Sequence, residues 1–599
     1  MLNRFKDNLP TESIEKRKAI LKNIGIPIKE EFFQNTDNIW SGWVESPILG
    51  LSTNGKGSSE EYCRASAYGE FFERLQNYFC GIRWNNLPLR ESNKRLLTIF
   101  PDENFIKIKN CLDNFPEIIE DFCNRFTGLE NRDFSGLNEL YALIETYLNN
   151  YNNITLSVPF YHVNTDSIVD MPYEILTILT GTNGMCSGNS PEEALVQGLS
   201  EICERYAEHK IFQENLTPPE ITREYLSKYP FIIKLIEELE DLSKNKVKVY
   251  DCSLGKGFPV VSIALFDTES LQYRLQFGSH PLMEIAIERC LTEFLQGYYL
   301  FEEKDRIRCM SNIEDNPMGD ENNLLFNRFI TGNGSFPISF FYKTPSWEFT
   351  EWCLNKDTYD NKIGYNYFID LFKANDKNIY IRNNSVLGIP AYYIYIPGIS
   401  PKYIGLSWSL LESFLITDSF KDFGALSKHL KDNNLLDDLS ELCENYLEFL
   451  NTSNREYINF YGEMYDEDNL VLRVDTEDFL KAIIYKELGN YRASSDFLNR
   501  VSKNSKYIKA LKLENHLCDI KVDEVDRDYI LSTFFEESII AFINRYWRGN
   551  DGTYNIFEWR PINKSTSTKN TEVSLDIREI LYNIEQNLVE VPQENPIKY

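Results

Sequence analysis

Two rhythms of apolar and polar positions divide the chain. Up to about residue 400, short runs rich in β-branched and aromatic residues are interleaved with helical stretches. NIWSGWVES reads as a strand leading into the Gly-rich NGKG. YDCS, FPVVSIALF and YRLQFGSH read as a strand meander, and AYYIYIPGIS, residues 391–400, as a closing strand with a Pro-Gly stop. TESIEKRKAILKNI, residues 11–24, predicts a capped amphipathic helix. One strand-plus-helix unit recurs, so residues 1–404 are expected to form an α/β (α+β) domain. Beyond it the apolar period changes to that of a helix, in LSWSLLESFLI, LLDDLSELCENYLEFL and EDFLKAIIYKELGNYRASSDFLNRV. Residues 405–550 are therefore expected to be all-helical, within a second domain spanning 405–561. KELGNYRASSDFL has the helix, tight Gly turn and helix of a tetratricopeptide unit, in one convincing copy. A polar tail, 562–599, is expected to be mobile unless something ties it down.

Three helices of the first domain carry acids on otherwise apolar surfaces. SAYGEFFERLQ, residues 66–76, lines up Ser66, Glu70, Glu73 and Asn77 between Tyr68, Phe71, Phe72 and Leu75. EEALVQGLSEICERY places Glu193, Gln197, Glu201 and Glu204 in one narrow line, while Ala194, Leu195, Val196, Leu199, Ile202, Cys203 and Tyr206 cover most of the remaining circumference. The third helix offers Arg289, Glu293 and Gln296 between Ile285, Ile287, Leu291 and Leu295. A helix apolar on most sides is a buried helix, and a buried acid must be compensated or it titrates to neutrality. Any single Glu-x-x-Glu is ordinarily tied off by a neighbouring Arg. Here the converging acids outnumber Arg74, Arg205 and Arg289, which makes divalent cations the economical counter-charge. Oxygen-only ligands point to Mg²⁺, which normally shares its shell with phosphates and so implies a nucleotide. A di-iron bundle would need Glu-x-x-His partners, and none of His162, His209, His280, His429 or His516 has that spacing.

Composition narrows the classes further. At 599 residues with 42 % hydrophobic content, the chain is long enough for two to four folded domains. A net charge of -29 with no basic block argues against a nucleic-acid surface and an anionic membrane, so an anionic ligand must meet locally concentrated Lys and Arg. The polar start MLNRFKDNLPTES and the lack of a long apolar run point to a cytoplasmic protein. Twelve cysteines without a C-x-x-C pair read as reduced, mostly buried thiols. GLSTNGKG, residues 50–57, has Walker A spacing up to Lys56, but Gly57 stands where the Mg²⁺-binding hydroxyl belongs, so these glycines are read as shaping the turn into the first acidic helix.

Three ordered motifs resemble the YcaO family: N-G-K-G-(x)7-A-S-A-x-G-E-x-x-E-R at Asn54–Arg74, N-G-M-x-x-G-N-(x)3-E-A-(x)2-Q-G-L-x-E-(x)2-E-R at Asn183–Arg205, and E-R-(x)2-T-E-(x)2-Q-G at Glu288–Gly297, followed by I-P-G at 396–398. The resemblance covers roughly residues 1–400 and implies an ATP site with Mg²⁺ carried by helix carboxylates. Residue by residue, it implies Glu70, Glu73, Glu193, Glu201, Glu204 and Glu293 as the Mg²⁺ set. Lys6, Ser13, Ser66, Arg74, Asn189, Gln197, Arg205, Arg289 and Gln296 would contact ATP. Family enzymes phosphorylate a backbone amide oxygen after a nucleophile adds to the carbonyl carbon, and phosphate then leaves to give an azoline, thioamide or amidine. No Ser, Cys or His triad is needed for that step, because metal ions and Arg stabilise the transferring charge.

Azoline-forming members end in a Pro-x-Pro-x-Pro tail, whereas PQENPIKY has Pro592 and Pro596 at another spacing. Only 53 residues precede the first family motif, which leaves peptide capture to the helical C-terminal part or to a separate partner protein. Two readings follow from the resemblance: an enzyme that modifies backbone amides of a ribosomally made peptide or protein, or an ATP-binding accessory factor for methylthiolation of a ribosomal protein. Family analogy also implies a homodimer and a sulfur-handling or substrate-recognition partner.

Overall fold

The computed structural model describes residues 5–77, 102–107, 110, 113–127, 154–243, 245–267, 271–294, 311–312, 336–401, 406–407, 443, 447, 461–466, 469–501, 505–548, 583, 586–589 and 591–597. The chain forms two compact units, one comprising Met1–Asp133, Asn150–Gly405 and Glu572–Tyr599, the other Phe134–Asn149 and Leu406–Thr571.

Among its described residues the first unit is built on three antiparallel sheets. β1 (Lys29–Thr36), β2 (Ile39–Ser46) and β3 (Leu51–Gly57) form a meander that leads into helix α2 (Glu60–Gln76), after a preceding helix α1 (Pro10–Ile24). A six-stranded sheet has the order β4 (Asn104–Lys107), β5 (Ile154–His162), β13 (Tyr380–Asn383), β14 (Ala391–Tyr395) and β7 (Met185–Ser187), with β6 (Ser167–Pro172) on the other side of β5. α3 (Pro116–Arg125) and α4 (Tyr173–Thr180) accompany it, and β7 feeds α5 (Pro191–Gln213). A third sheet runs β12 (Ser311–Asn312), β11 (Gln272–Ser279), β10 (Val260–Asp267), β9 (Lys246–Asp251) and β8 (Glu220–Ile221). Its meander matches the expected strands, with α6 (Pro230–Ser243) before β9, α7 (Met283–Phe294) after β11, and α8 (Asn361–Ala374) before β13. All pairings within these sheets are antiparallel.

The recurring unit has a common physical device. Each acidic helix follows a strand or strand end whose glycine lies against that helix. A Cβ on Gly55 would meet the Cys63 carbonyl at 2.2 Å, one on Gly188 the Ala194 amide at 2.5 Å, and one on Gly278 the Ala286 carbonyl at 2.6 Å. No side chain fits there, so the backbones of strand and helix approach to contact. NGKG is thus not a turn, as the sequence pattern suggests, but the paired end of β3, with Gly42 opposite Gly55 and Ser41 opposite Lys56. That pairing also removes the free loop a Walker A motif requires.

α1 begins one residue before the expected Thr11, because Pro10 sets the first helical φ; Leu9 occupies the cap position without a side-chain hydrogen bond. Gly25, at φ 87°, closes the helix by donating its N–H to the Leu21 and Lys22 carbonyls. The C-terminal segment, where described, is tied to this unit. Asn583 donates to the Ile24 carbonyl at 3.1 Å, Gln593 exchanges two 2.8 Å bonds with the Asn383 backbone, and Ile597 packs on the core around α5.

In the second unit the described residues include a hairpin, β15 (Tyr461–Asp466) and β16 (Asn469–Asp475), five α-helices, α9 (Thr476–Glu487), α10 (Tyr491–Val501), α11 (Lys506–Asp519), α12 (Glu524–Phe534) and α13 (Glu537–Ile543), and a π-helical turn at Asn544–Arg548. The hairpin corrects the all-helical expectation: Leu470, Leu472 and Val474 alternate in sequence beyond the polar turn sequence DEDN, which is a two-residue and not a helical period. α9 and α10 form the expected helix-turn-helix, with Gly489 at φ 72° and Asn490 Oδ1 accepting from the Ala493 N–H at 3.1 Å. The stretches LSWSLLESFLI and LLDDLSELCENYLEFL lie almost entirely outside the described residues. Among the described residues no helix is long and apolar enough to cross a membrane.

Candidate functional site

α5 is the spine on which most of the sequence-predicted residues gather. Ser190 caps it by accepting from the Glu193 N–H at 3.1 Å, which sets Glu193 at the third helical position, where the helix dipole favours a carboxylate. That carboxylate accepts from Lys6 Nζ at 3.1 Å, from the Asp7 backbone N–H at 2.9 Å, and through both oxygens from Asn189 Nδ2 at 3.1 and 3.0 Å. Burial alone would raise its pKa, but Lys6, the Asp7 amide and Asn189 outweigh burial and hold it below the ordinary value. Arg17, buried on α1, donates to Ser13 Oγ, to the Ser13 carbonyl and Asn189 Oδ1 at 3.3 Å each, and to the Gly188 carbonyl at 3.2 Å. Its Nε is buried without a hydrogen-bond partner among the described residues. Burial pushes its pKa down to about 10, against the attraction of Glu193. Lys6, Ser13, Asn189 and Glu193 are therefore one assembly joining the chain's start to the head of α5.

Further along α5 the other helices join. Gln197 Oε1 accepts from Arg289 of α7 at 2.9 Å. Arg74 of α2 pairs with Glu70 at 3.2 Å and Glu73 at 2.9 Å; burial opposes its charge, but Glu73, Glu70 and Glu201 of α5 more than offset that. Arg205 pairs with Glu208 at 3.5 Å and Glu204 at 4.0 Å. Burial raises the Glu204 carboxyl above its ordinary value although Arg205, Arg289 and Lys56 pull it the other way. Lys56 of β3 forms an ion pair with Glu293 of α7, and burial, aided by Arg289, pushes its pKa down to about 8 against Glu204 and Glu70. Ser66 is half-buried one turn before Glu70. Gln296 lies outside the described residues. The side chains of Glu70, Glu293 and Arg205 are 35, 32 and 33 % exposed, so the strip is open to a ligand from solvent.

The balance of charge differs from the expectation. The sequence pattern offers three guanidinia as counter-charges, whereas the fold adds Lys6, Lys56 and Arg17. Five of the six acids, Glu70, Glu73, Glu193, Glu204 and Glu293, have a Lys or Arg partner, and only Glu201 makes no ion pair among the described residues. Nor do three His, Cys, Asp or Glu side chains among the described residues converge on a point that could hold a metal ion. The acids are thus brought to one strip but not into a ready-made cage, and protein cations alone could compensate them. The donor chemistry still fits a magnesium nucleotide: oxygen ligands without His or Cys, interleaved with guanidinium and ammonium groups.

Arg17, Asp7, Lys56 and Glu208 escape the sequence reading. Arg17 carries a usable signal, since Ser13, Ile14, Arg17, Leu21 and Ile24 share the buried face of α1 and a charge on such a face needs a reason. Lys56 is hidden inside the false Walker match. The eight cysteines whose side chains are described are free; five of the seven not exposed sit in α2, α5, β7, the end of β9 and α7, and among these eight only Cys353 is exposed.

A family model described as YcaO cyclodehydratase, ATP- and Mg²⁺-binding, matches residues 54–400. The ribosomal protein S12 methylthiotransferase accessory factor YcaO of Escherichia coli K12 is 31 % identical over 403 residues, which is 66 % of each chain, so the chain spans about two thirds of that relative's length. Among solved structures, a heterocyclase in complex with substrate and cofactor aligns at 15 % identity and TM-score 0.46, over 67 % of this chain and 54 % of the other. The YcaO protein of Methanopyrus kandleri bound with AMPPCP and Mg²⁺ aligns at 16 % identity and TM-score 0.41, over 67 % and 93 %.

Proposed function

The chain belongs to the YcaO family of ATP- and Mg²⁺-binding proteins, and from that premise we propose that the strip along α5 binds Mg·ATP and uses it to activate backbone amides of a ribosomally made peptide or protein. The observation that carries this reading is the convergence of acids and cations from α2, α5 and α7: Glu70, Glu204 and Glu293 all act on the Lys56 ammonium, and Arg205 and Arg289 share its neighbourhood. When bound, Mg·ATP supplies the phosphoryl group and the metal charge. The chain's own residues bind and orient it. Glu70, Glu73, Glu193, Glu201, Glu204 and Glu293 offer carboxylate oxygens to metal ions. Arg74, Arg205 and Arg289 set positive charge against phosphate oxygens, and Gln197 fixes the Arg289 guanidinium. Ser66, Asn189, Gln296, Lys6 and Ser13 complete the nucleotide contacts. The ion pairs are exchangeable, since a divalent ion offers the carboxylates, and a triphosphate the cations, partners of higher charge.

Glu201→Ala and Glu70→Gln each abolish Mg·ATP binding in calorimetric titration while leaving the melting temperature near that of the wild type; unchanged affinity in both variants refutes the site. Phosphate release stimulated by a substrate peptide, with a product lighter by one water or with oxygen exchanged for sulfur, distinguishes the enzyme. The second reading, an ATP-binding accessory factor for methylthiolation, is favoured by the 31 % identical Escherichia coli relative that bears that name. It predicts ATP binding without a modified product. By family analogy the proposal includes a homodimer, tested by light scattering at micromolar concentration, and a tetratricopeptide-like role for the second unit in partner capture.

A further inference from the structure

We propose that Lys56, on β3, is a further cationic contact for the phosphate tail of the nucleotide, acting beside Arg205 of α5 and Arg289 of α7; this rests on the Mg·ATP reading of the strip. Gly55 and Gly57 face the start of α2, where added Cβ atoms would strike the Cys63 backbone at 2.2 and 2.5 Å. Strand alternation turns Lys56, between them, to the opposite face of β3. Its ammonium reaches Glu293 of α7 and lies within electrostatic reach of Glu204, Glu70, Arg289 and Arg205.

An ammonium beside two guanidinia is a repulsive arrangement that a lysine serving only Glu293 would not require. Three cations from three different elements, β3, α5 and α7, share a space that is partly open: the Lys56 side chain is 23 % exposed and that of Arg205 33 %. A polyanion is the ligand that turns this repulsion into attraction, and the flexible stem of a lysine lets its head follow a phosphate away from Glu293. The carboxylates Glu70, Glu204 and Glu293 keep the trio tolerable meanwhile.

The test compares ATP and AMP binding to the full chain, in Mg²⁺, by calorimetry for wild type, Lys56→Met and Lys56→Arg, with melting temperature measured alongside. The wild type binds ATP, Lys56→Met weakens it about 10- to 100-fold, the range for losing one charge-assisted contact, and Lys56→Arg recovers most of the loss. AMP affinity changes less than about threefold, since one phosphate cannot span the three cations. Retention of ATP affinity in Lys56→Met overturns the proposal. So does an equal loss of ATP and AMP with a lowered melting temperature and no rescue by Arg, the mark of a lysine that only holds Glu293. A wild type that binds neither nucleotide sinks the reading of the whole strip, and this proposal with it.

Discussion

Glu193→Gln isolates the anchor that holds the start of the chain against α5. In the wild type, Asn189 donates to both carboxylate oxygens, Lys6 to one and the Asp7 amide to the other. Whichever way a glutamine amide is turned, its NH2 group faces two donors and the formal charge is gone. The buried loss is one charge-assisted bond, worth about 1.5–3 kcal/mol. The Lys6 pair, with a lysine 41 % exposed, adds no more than about 0.5–1 kcal/mol. Local docking of residues 5–9 therefore weakens by roughly 2–3 kcal/mol, which is about 30- to 150-fold in the opening equilibrium. Hydrogen exchange of the Asp7 amide reads this directly. The sign with pH is also defined. Because the Glu193 carboxyl is held below its ordinary value of 4.5, its stabilisation is complete above that value and is lost as pH falls through the depressed one. Relative to the intrinsic rate at each pH, the wild-type protection of this amide should fall over that window while that of the Gln variant stays flat. Exchange at neutral pH that agrees within about threefold between the two proteins refutes the anchoring role.

Two further outcomes follow from packing and burial. Gly55→Ala places a Cβ 2.2 Å from the Cys63 carbonyl, backbone that cannot give way, so it destabilises the first unit by about 1–3 kcal/mol or more in thermal unfolding; an unchanged melting temperature contradicts the close strand-helix approach. Asp121 accepts from the Tyr395 hydroxyl at 2.6 Å and from the Gly398 N–H at 2.9 Å, yet burial raises its pKa from 3.8 to about 6. Its raised value means the folded state takes up the proton first, so this group's contribution falls as pH rises from about 4 to 6. Asp121→Asn should gain on the wild type by roughly 2 kcal/mol between pH 4 and pH 7 in denaturant titrations, and a pH-independent difference would count against the assignment.

Much of the first unit is legible because its signals are local. The meander β9–β10–β11 and the acidic line of α5 follow from periodicity, and the family motifs fall on β3 and α2, on β7 and α5, and on α7, the elements that carry most of the proposed site. What sequence does not carry is the partner of a long-range contact. Composition and periodicity give Lys6 and Ser13 no partner until Glu193 and Arg17 engage them, and Lys56 reads as part of the turn into the first acidic helix until β-pairing places it on a sheet facing α7. The tail reads as polar because its bonds to Ile24 and Asn383 are made by amide side chains, which periodicity cannot distinguish from solvated ones.

A buried acid alone does not mark a site, and Glu514 in the second unit shows why. It is 2 % exposed on α11, and Arg527 and Arg548 grip it at 3.2, 2.8 and 2.9 Å, two of those bonds coming from one guanidinium. That is compensation by dedicated partners in good geometry, which suffices to hold a fold together. The strip along α5 is built differently. Glu204 meets Arg205 only at 4.0 Å and is left with a raised pKa; Arg74 is shared among Glu70, Glu73 and Glu201; and Lys56 answers to acids on three helices. Charges that are shared, loosely paired and a third exposed hold a fold poorly and can be drawn apart by a ligand bearing both signs. A metal-bound triphosphate carries both, and the incompleteness of these pairs, more than the number of acids, argues for function here.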